Sequence, residues 1–182
     1  VKFSTEPFER GYGVTIGNSL RRVLLSSIMG AAITSVWIDS VDHEFSTVRG
    51  VKEDVTEIIL NLKKVVIRMT DDKPALLKID VKGKKDVKAS DITHDGGVEV
   101  VSPDLHIATL SSDARLYMEM KAKMGRGYQP SEHNIDDAEP IGTIPIDAIF
   151  SPIRKVSYNV SQARVGRRTD YDKLTMEIWT DG

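Results

Sequence analysis

A glycine-rich stretch before a predicted helix is the first candidate for chemistry in this sequence. The free N–H groups at the start of a helix attract anions, as in phosphate-binding loops. The spacing is wrong for both nucleotide motifs: a dinucleotide fingerprint needs glycine where Ile16 stands, and a P-loop needs glycine at Tyr12 and lysine at Asn18. A nucleotide-binding enzyme that uses the Gly11–Gly17 turn therefore stays an alternative hypothesis.

The histidines and carboxylates do not form a recognisable catalytic or metal-binding motif. His43-Glu44 begins like a zinc-protease helix, but Thr47 stands where the second histidine is needed. The other histidines, His94, His106 and His133, lie in separate segments without ligand spacing, and cysteine is absent. We therefore expect no catalytic residue, no metal and no cofactor in this chain.

Composition narrows the classes of protein to which this chain could belong. The 182 residues are 40% hydrophobic and 29% charged, as in globular chains, and no apolar run approaches the roughly 20 residues of a membrane span. A net charge of -2 argues against a dedicated nucleic-acid binder. An autonomous nucleic-acid-binding module therefore stays only as a second, less favoured alternative. The lack of cysteine agrees with a cytoplasmic location. The chain begins at Val1 without methionine and stops at Gly182 after a strand-like run, which suggests a fragment.

Helical periodicity appears in two places. The first helix is predicted to begin at Asn18, a favourable N-cap residue, and to stop at Gly30. The second is predicted from about Val51 to Leu62, with its apolar residues on one face. The first helix carries an apolar stripe at helical spacing, formed by Leu20, Val23, Leu24 and Ile28.

Short alternating segments typical of strands fill most of the remaining sequence. The predicted strands are Ala32–Ile38, Val65–Met69, Ala75–Val81, Val98–Val101, His106–Leu110, Arg115–Lys121, Lys155–Val160 and Lys173–Trp179. This pattern predicts an α+β fold. If the first helix and the last strand pair share one core, the segment between Gly30 and Ser151 is a second, inserted domain.

Several longer strings resemble bacterial RNA polymerase alpha subunits and occur in that family's order. They are Glu6–Gly13, Thr15–Ser27, His43–Thr47, Gly50–Val55, Asn61–Lys63, Asp91–Gly96, Gly125–Tyr128, Ser151–Ile153, Tyr158–Val160 and Arg168–Leu174. The resemblance covers nearly the whole chain, and ordered motifs of this length are specific.

The resemblance implies a discontinuous α/β dimerisation domain, residues 1–30 and 152–182, truncated at both ends. A strand-rich domain, residues 31–151, is inserted into it and contacts the large subunits. The expected function is a non-catalytic scaffold that dimerises and recruits the beta and beta-prime subunits of DNA-directed RNA polymerase, a nucleotidyltransferase, in transcription. DNA binding is expected only through a carboxy-terminal domain that lies outside these residues.

The resemblance also implies roles for individual residues. Contacts with the large subunits are expected at Arg22 and Leu25 on the first helix, at Lys63 after the second, and at Ile146 and Ile153 around the return crossing. The apolar stripe of the first helix is expected to face the second copy of the dimer.

Overall fold

The computed structural model describes residues 1–94, 96–136, 138–166 and 168–181, and it divides the chain into two compact units. Unit 1 combines Val1–Met29 with Ser151–Gly182, and unit 2 is Gly30–Phe150. The inserted segment expected from the sequence, 31–151, differs from unit 2 by one residue at each end. The predicted α+β class is confirmed, because both units combine a helix with antiparallel strands.

Strands greatly outnumber helices along the chain. In chain order the elements are β1 (Lys2–Phe8), α1 (Tyr12–Ser27), β2 (Met29–Ile38), α2 (Val55–Leu62), β3 (Ile67–Met69), β4 (Ala75–Lys82), β5 (Lys85–Lys88), β6 (Thr93–His94), β7 (Val98–Val100), β8 (His106–Leu110), β9 (Arg115–Arg126), β10 (Tyr128–Gln129), β11 (Ile144–Pro145), β12 (Ala148–Ile149), β13 (Ile153–Val165) and β14 (Arg168–Thr180). Two short 3-10 helices cover Ala89–Asp91 and Ser131–Asn134.

Unit 2 is built on an antiparallel sheet in the order β6-β4-β9-β2-β3-β7, with β11 also paired to β2. Side chains alternate along β9, so that Leu116, Met118 and Met120 are fully buried. Helix α2 adds its apolar face, including Ile58 and Leu62, to the same core. Burial of each such side chain contributes roughly 1.5–3 kcal/mol, so unit 2 has a substantial core of its own.

The predicted start of α2 at Val51 is wrong by four residues, for a local reason. Asp54 is the N-cap: its carboxylate accepts the Glu57 N–H at 2.7 Å, and the Glu57 carboxylate accepts the Asp54 N–H at 3.4 Å. This reciprocal capping box fixes the first turn of the helix. Val51 instead forms an isolated β-bridge with Leu110.

Unit 1 places α1 on a three-stranded antiparallel sheet in which β14 lies between β1 and β13. The predicted start of α1 at Asn18 is wrong, because the helix begins at Tyr12. The interpretation of Gly11–Gly17 as a turn is wrong for the same reason. Gly11 is the N-cap in a left-handed conformation, with φ of 89°, and the residues after it are helical.

The helix is capped from the far end of the chain. Gly11 has no side chain to accept the first N–H groups, and Asp172 on β14 supplies the missing acceptor. The Oδ2 atom of Asp172 accepts the N–H of Gly11 at 2.8 Å and the N–H of Gly13 at 3.2 Å. A carboxylate at a helix amino terminus also interacts favourably with the helix dipole. The position of α1 is thus tied to β14.

Glycines bring α1 unusually close to the sheet. Gly13 and Gly17 are its two buried residues. A Cβ atom on Gly17 would lie 2.7 Å from the Tyr158 ring, and one on Gly13 would lie 2.9 Å from Cγ1 of Val160. Both distances are shorter than van der Waals contact, so the backbone approaches where a side chain has no room.

We predict that Gly17→Ala destabilises unit 1. Alanine is favoured over glycine in a helix by about 1 kcal/mol, but overpacking costs about 1–3 kcal/mol, and the 2.7 Å clash makes the second effect dominate. Denaturant unfolding should show a net loss of up to about 2 kcal/mol. Gly96→Ala is the matched control, because a Cβ at Gly96 meets nothing within 4 Å. Equal effects of the two substitutions would contradict the close-packing argument.

We also predict that removal of the Asp172 cap weakens α1. Asp172→Ala leaves two N–H groups without their acceptor and should cost about 0.5–2 kcal/mol, as for other lost helix caps. Asp172→Asn keeps one oxygen without the charge and should cost less. The free energy of unfolding is measured by denaturant titration followed by circular dichroism. Equal stability of the unsubstituted chain and both Asp172 variants would refute the capping role.

Candidate assembly surface

The exposed apolar side chains of α1 form the clearest candidate for a protein interface. Leu20 is 45% exposed and Val23 is 52% exposed, while Leu24 and Ile28 are half-buried. These are the four residues of the predicted apolar stripe, of which Ile28 lies just after the helix as its C-cap residue. Because the helix contacts its own sheet through glycines, much of the stripe is left uncovered. Contiguous exposed apolar surface is typical of an interaction site.

A second surface of α1 carries a charge. Arg22 and Leu25 are three residues apart, which places them on one face of the helix. Arg22 is exposed and Leu25 is 37% exposed. Among the residues that the structure describes, none forms an ion pair with Arg22. The Ser26 hydroxyl, one turn later, donates to the Arg22 backbone carbonyl at 2.7 Å.

Two of the other predicted contact residues occupy different environments. Lys63 is the C-cap residue of α2 and forms an ion pair with Asp147, with both side chains about 30% exposed. Ile153 is half-buried at the start of β13, where its N–H donates to the Ser151 hydroxyl at 3.3 Å. Both retain enough exposure to touch a partner.

Ile146 is corrected to a core residue. Its side chain is 1% exposed and belongs to the hydrophobic core of unit 2. Its backbone is also held, since its N–H donates to the Thr34 carbonyl and its carbonyl accepts from the Asn134 amide. The side chain therefore presents no contact surface, and Ile146 instead anchors the chain beside Asp147.

The sequence reasoning missed a polar cluster in unit 2 that joins three segments. Glu53, just before α2, contacts His106 and Thr109 on β8, and His106 also contacts Asp86 on β5. The histidines lack ligand spacing in sequence, and only the pairing of β5 with β8 brings these side chains together. No local sequence signal identifies the cluster.

Unit 2 also has an open cavity of about 240 Å³, lined in part by Trp37. Its polar groups are paired with one another: the Ser35 hydroxyl donates to Glu139 at 3.2 Å, and the Lys121 ammonium lies 2.9 Å from Glu139 and 2.7 Å from Asp136. A ligand site normally directs a few convergent polar groups at its ligand. The side chains of Ser35, Lys121 and Glu139 are thus directed at each other rather than at a shared point in the cavity.

Within the described ranges, no three His, Asp or Glu side chains are grouped so that they would hold a metal ion. Neither α1 nor α2 has the length and apolar character needed to cross a membrane, as far as the described residues extend.

Comparison with known proteins identifies relatives along the whole chain. The family model of the RNA polymerase Rpb3/RpoA insert domain matches residues 36–151. The DNA-directed RNA polymerase subunit alpha of Geobacter metallireducens is 61% identical over 181 residues, covering 100% of this chain and 53% of the relative. The corresponding subunit of Oceanobacillus iheyensis is 58% identical over 181 residues, covering 100% of this chain and 58% of the relative. The chain thus spans little more than half the length of these curated relatives.

Proposed function

This chain belongs to the RNA polymerase Rpb3/RpoA insert-domain family, and we propose that it is a non-catalytic assembly scaffold of DNA-directed RNA polymerase in transcription. The resemblance to bacterial alpha subunits drawn from the sequence motifs is confirmed by this match and by relatives about 60% identical. The alternatives gain no support. Residues 12–17 are helical rather than a phosphate-binding turn, and Gly13 and Gly17 face the sheet.

One observation carries the proposal: Leu20 and Val23 of the apolar stripe are exposed although α1 is packed on its own sheet. We propose that Leu20, Val23, Leu24 and Ile28 face the same surface of a second copy, forming a homodimer. Two-fold dimers use one self-complementary patch on each subunit. A fully covered leucine contributes roughly 1.5–3 kcal/mol, so several such residues together suffice to drive helix pairing.

The second surface of α1 is proposed for the large subunits. Arg22 and Leu25 lie away from the glycine face that holds α1 on the sheet, so they remain accessible while the helix stays packed. The planar guanidinium of arginine suits a protein interface, because its fork of donors pairs with a carboxylate in two places. Lys63 and Ile153 complete the proposed contact set, without Ile146.

Other parts of the proposal concern the assembled enzyme. The beta and beta-prime subunits hold the catalytic site, so this chain requires no reactive group or cofactor. DNA contacts of the alpha subunit are assigned to a carboxy-terminal domain outside these 182 residues, and the assembly is placed in the cytoplasm. The test is co-purification of the chain with beta and beta-prime, and failure of the three proteins to associate would refute the scaffold function.

We predict that Val23→Asp weakens the dimer and leaves the monomer folded. Val23 is 52% exposed, so an aspartate remains solvated in the monomer but is desolvated in a closed interface. Sedimentation equilibrium should show at least a tenfold rise in the dimer dissociation constant, equivalent to about 1.4 kcal/mol or more. Asn18→Asp is the matched control, because exposed Asn18 lies one turn before Arg22 on the other face. Unchanged association of the Val23 variant would place the interface elsewhere.

We predict that Arg22→Ala leaves the dimer intact and weakens binding of the large subunits. Loss of one partner of a buried charge pair costs on the order of 2–5 kcal/mol. Arg21→Ala is the control, since Arg21 is also exposed but points about 100° away around the helix. Titration of the dimer with beta subunit measures the effect. Equal affinities of the two variants would remove Arg22 from the contact set.

A further inference from the structure

The segment that leads into α2 is held on β8 like a short extra strand. The Ser111 N–H donates to the Gly50 carbonyl at 2.8 Å, Val51 bridges to Leu110, and the Lys52 N–H donates to the Thr109 carbonyl at 3.0 Å. We call residues 50–54 the lead-in segment. Its backbone pairing then stops, because the chain must turn into the helix at Asp54.

The Glu53 side chain replaces the next backbone partner. Its Oε2 atom accepts the Thr109 N–H at 2.6 Å, and its Oε1 atom accepts the Thr109 hydroxyl at 3.0 Å. A carboxylate thus occupies the position that a strand carbonyl would take, and the lead-in segment stays attached while it leaves the strand direction. The Glu53 side chain is only 13% exposed, so its ionised form must be stabilised by nearby hydrogen-bond donors rather than by water.

His106 joins this carboxylate to a second one. Its Nε2 atom lies 3.0 Å from Oε1 of Glu53, and its Nδ1 atom lies 2.5 Å from Oδ1 of Asp86. An ionised carboxylate only accepts hydrogen bonds, whereas a neutral imidazole has one N–H donor and one acceptor nitrogen. Both contacts are therefore satisfied together only by the imidazolium. Deprotonation turns one contact into an unfavourable pairing of two acceptors.

The other charges around His106 are engaged elsewhere. Lys88 is its cross-strand partner on β5 and pairs with Asp104 at 3.4 Å. On β5, Lys85 pairs with Asp91 at 2.6 Å. On α2, Glu57 is committed to the capping box with Asp54. The two carboxylates that face the imidazole thus have no closer cation than the imidazole itself within the part of the chain that the structure describes.

We propose that Glu53, Asp86 and His106 form a proton-dependent clamp that fixes the lead-in segment of α2 to β5 and β8. With His106 protonated, the three segments are joined by charge-assisted hydrogen bonds, which are stronger than neutral ones. When His106 loses its proton, one of the two links is lost and the lead-in segment opens more often. The side chain of His106 is 42% exposed, so solvent protons reach it without unfolding of unit 2.

The titration behaviour of the two groups agrees with this geometry. Burial lowers the pKa of His106, but hydrogen bonds to Glu53 and Asp86 outweigh it and raise the pKa above its ordinary value of 6.5. Burial raises the pKa of Glu53, but bonds from Thr109 and His106 outweigh it and lower the pKa below 4.5. The histidine contribution is thus complete below pH 6.5 and is lost as pH rises through the folded pKa. The glutamate contribution is lost only as pH falls through its own lowered pKa.

Amide hydrogen exchange of the whole 182-residue chain tests the clamp. After correction for intrinsic exchange, the opening constants of the Lys52 and Thr109 amides should rise with pH by up to about tenfold per unit between the ordinary and the raised pKa of His106. His106→Gln should remove this dependence on pH. His133→Gln, which removes an exposed histidine outside the cluster, should keep it.

A measurement on the unsubstituted chain guards against misfolding of the variant. Nitrogen chemical shifts of the His106 ring should show both nitrogens protonated at pH 6.5, since its pKa is raised above the ordinary value of 6.5. A neutral ring at that pH, opening constants that do not change with pH, or an unchanged pH dependence in His106→Gln would each overturn the proposal.

Discussion

The close approach of α1 to the β13–β14 hairpin is the constraint on which unit 1 depends. Gly13 and Gly17 leave no room for a Cβ atom, so the helix is held by backbone contact with Tyr158, Val160 and their neighbours. A helix packed in this way makes its closest contacts with the sheet through glycines rather than through its large apolar side chains. Leu20 and Val23 stay exposed as a direct result. The packing that stabilises the subunit also creates the surface proposed for its dimer.

One helix can therefore serve three contacts without conflict. The glycine face holds the sheet, the apolar stripe is free for a second copy, and the face with Arg22 and Leu25 is free for a different protein. With a rotation of about 100° per residue, Leu20 and Leu24 continue the side of Gly13 and Gly17 toward the carboxy-terminal end of the helix, whereas Arg22 lies on the opposite side.

The sequence predicted the fold class, the family and most strands, because alternation and ordered motifs are local signals. It misplaced the start of α1, since Asn18 looks like a cap while the actual acceptor, Asp172, lies more than 150 residues away. Ile146 was expected at a partner surface from the family resemblance alone, whereas its burial depends on how separate segments pack. The Glu53–His106 cluster was missed because strand pairing alone assembles it. These three errors share one cause, because each depends on contacts between distant segments, whereas the misplaced start of α2 comes from the local capping box of Asp54 and Glu57.

The cap that Asp172 gives to α1 affects when this helix can fold during synthesis of the chain. The ribosome makes α1 early, but the acceptor for its first N–H groups and the sheet beneath its glycines emerge only after unit 2 has been made. At 5–20 residues per second, this delay is roughly 7–30 s. Unit 2 has its own core and can fold during that interval. The amino-terminal segment of the chain is thus among the last parts to reach its native structure. Until then, its apolar side chains are not packed against the sheet of unit 1.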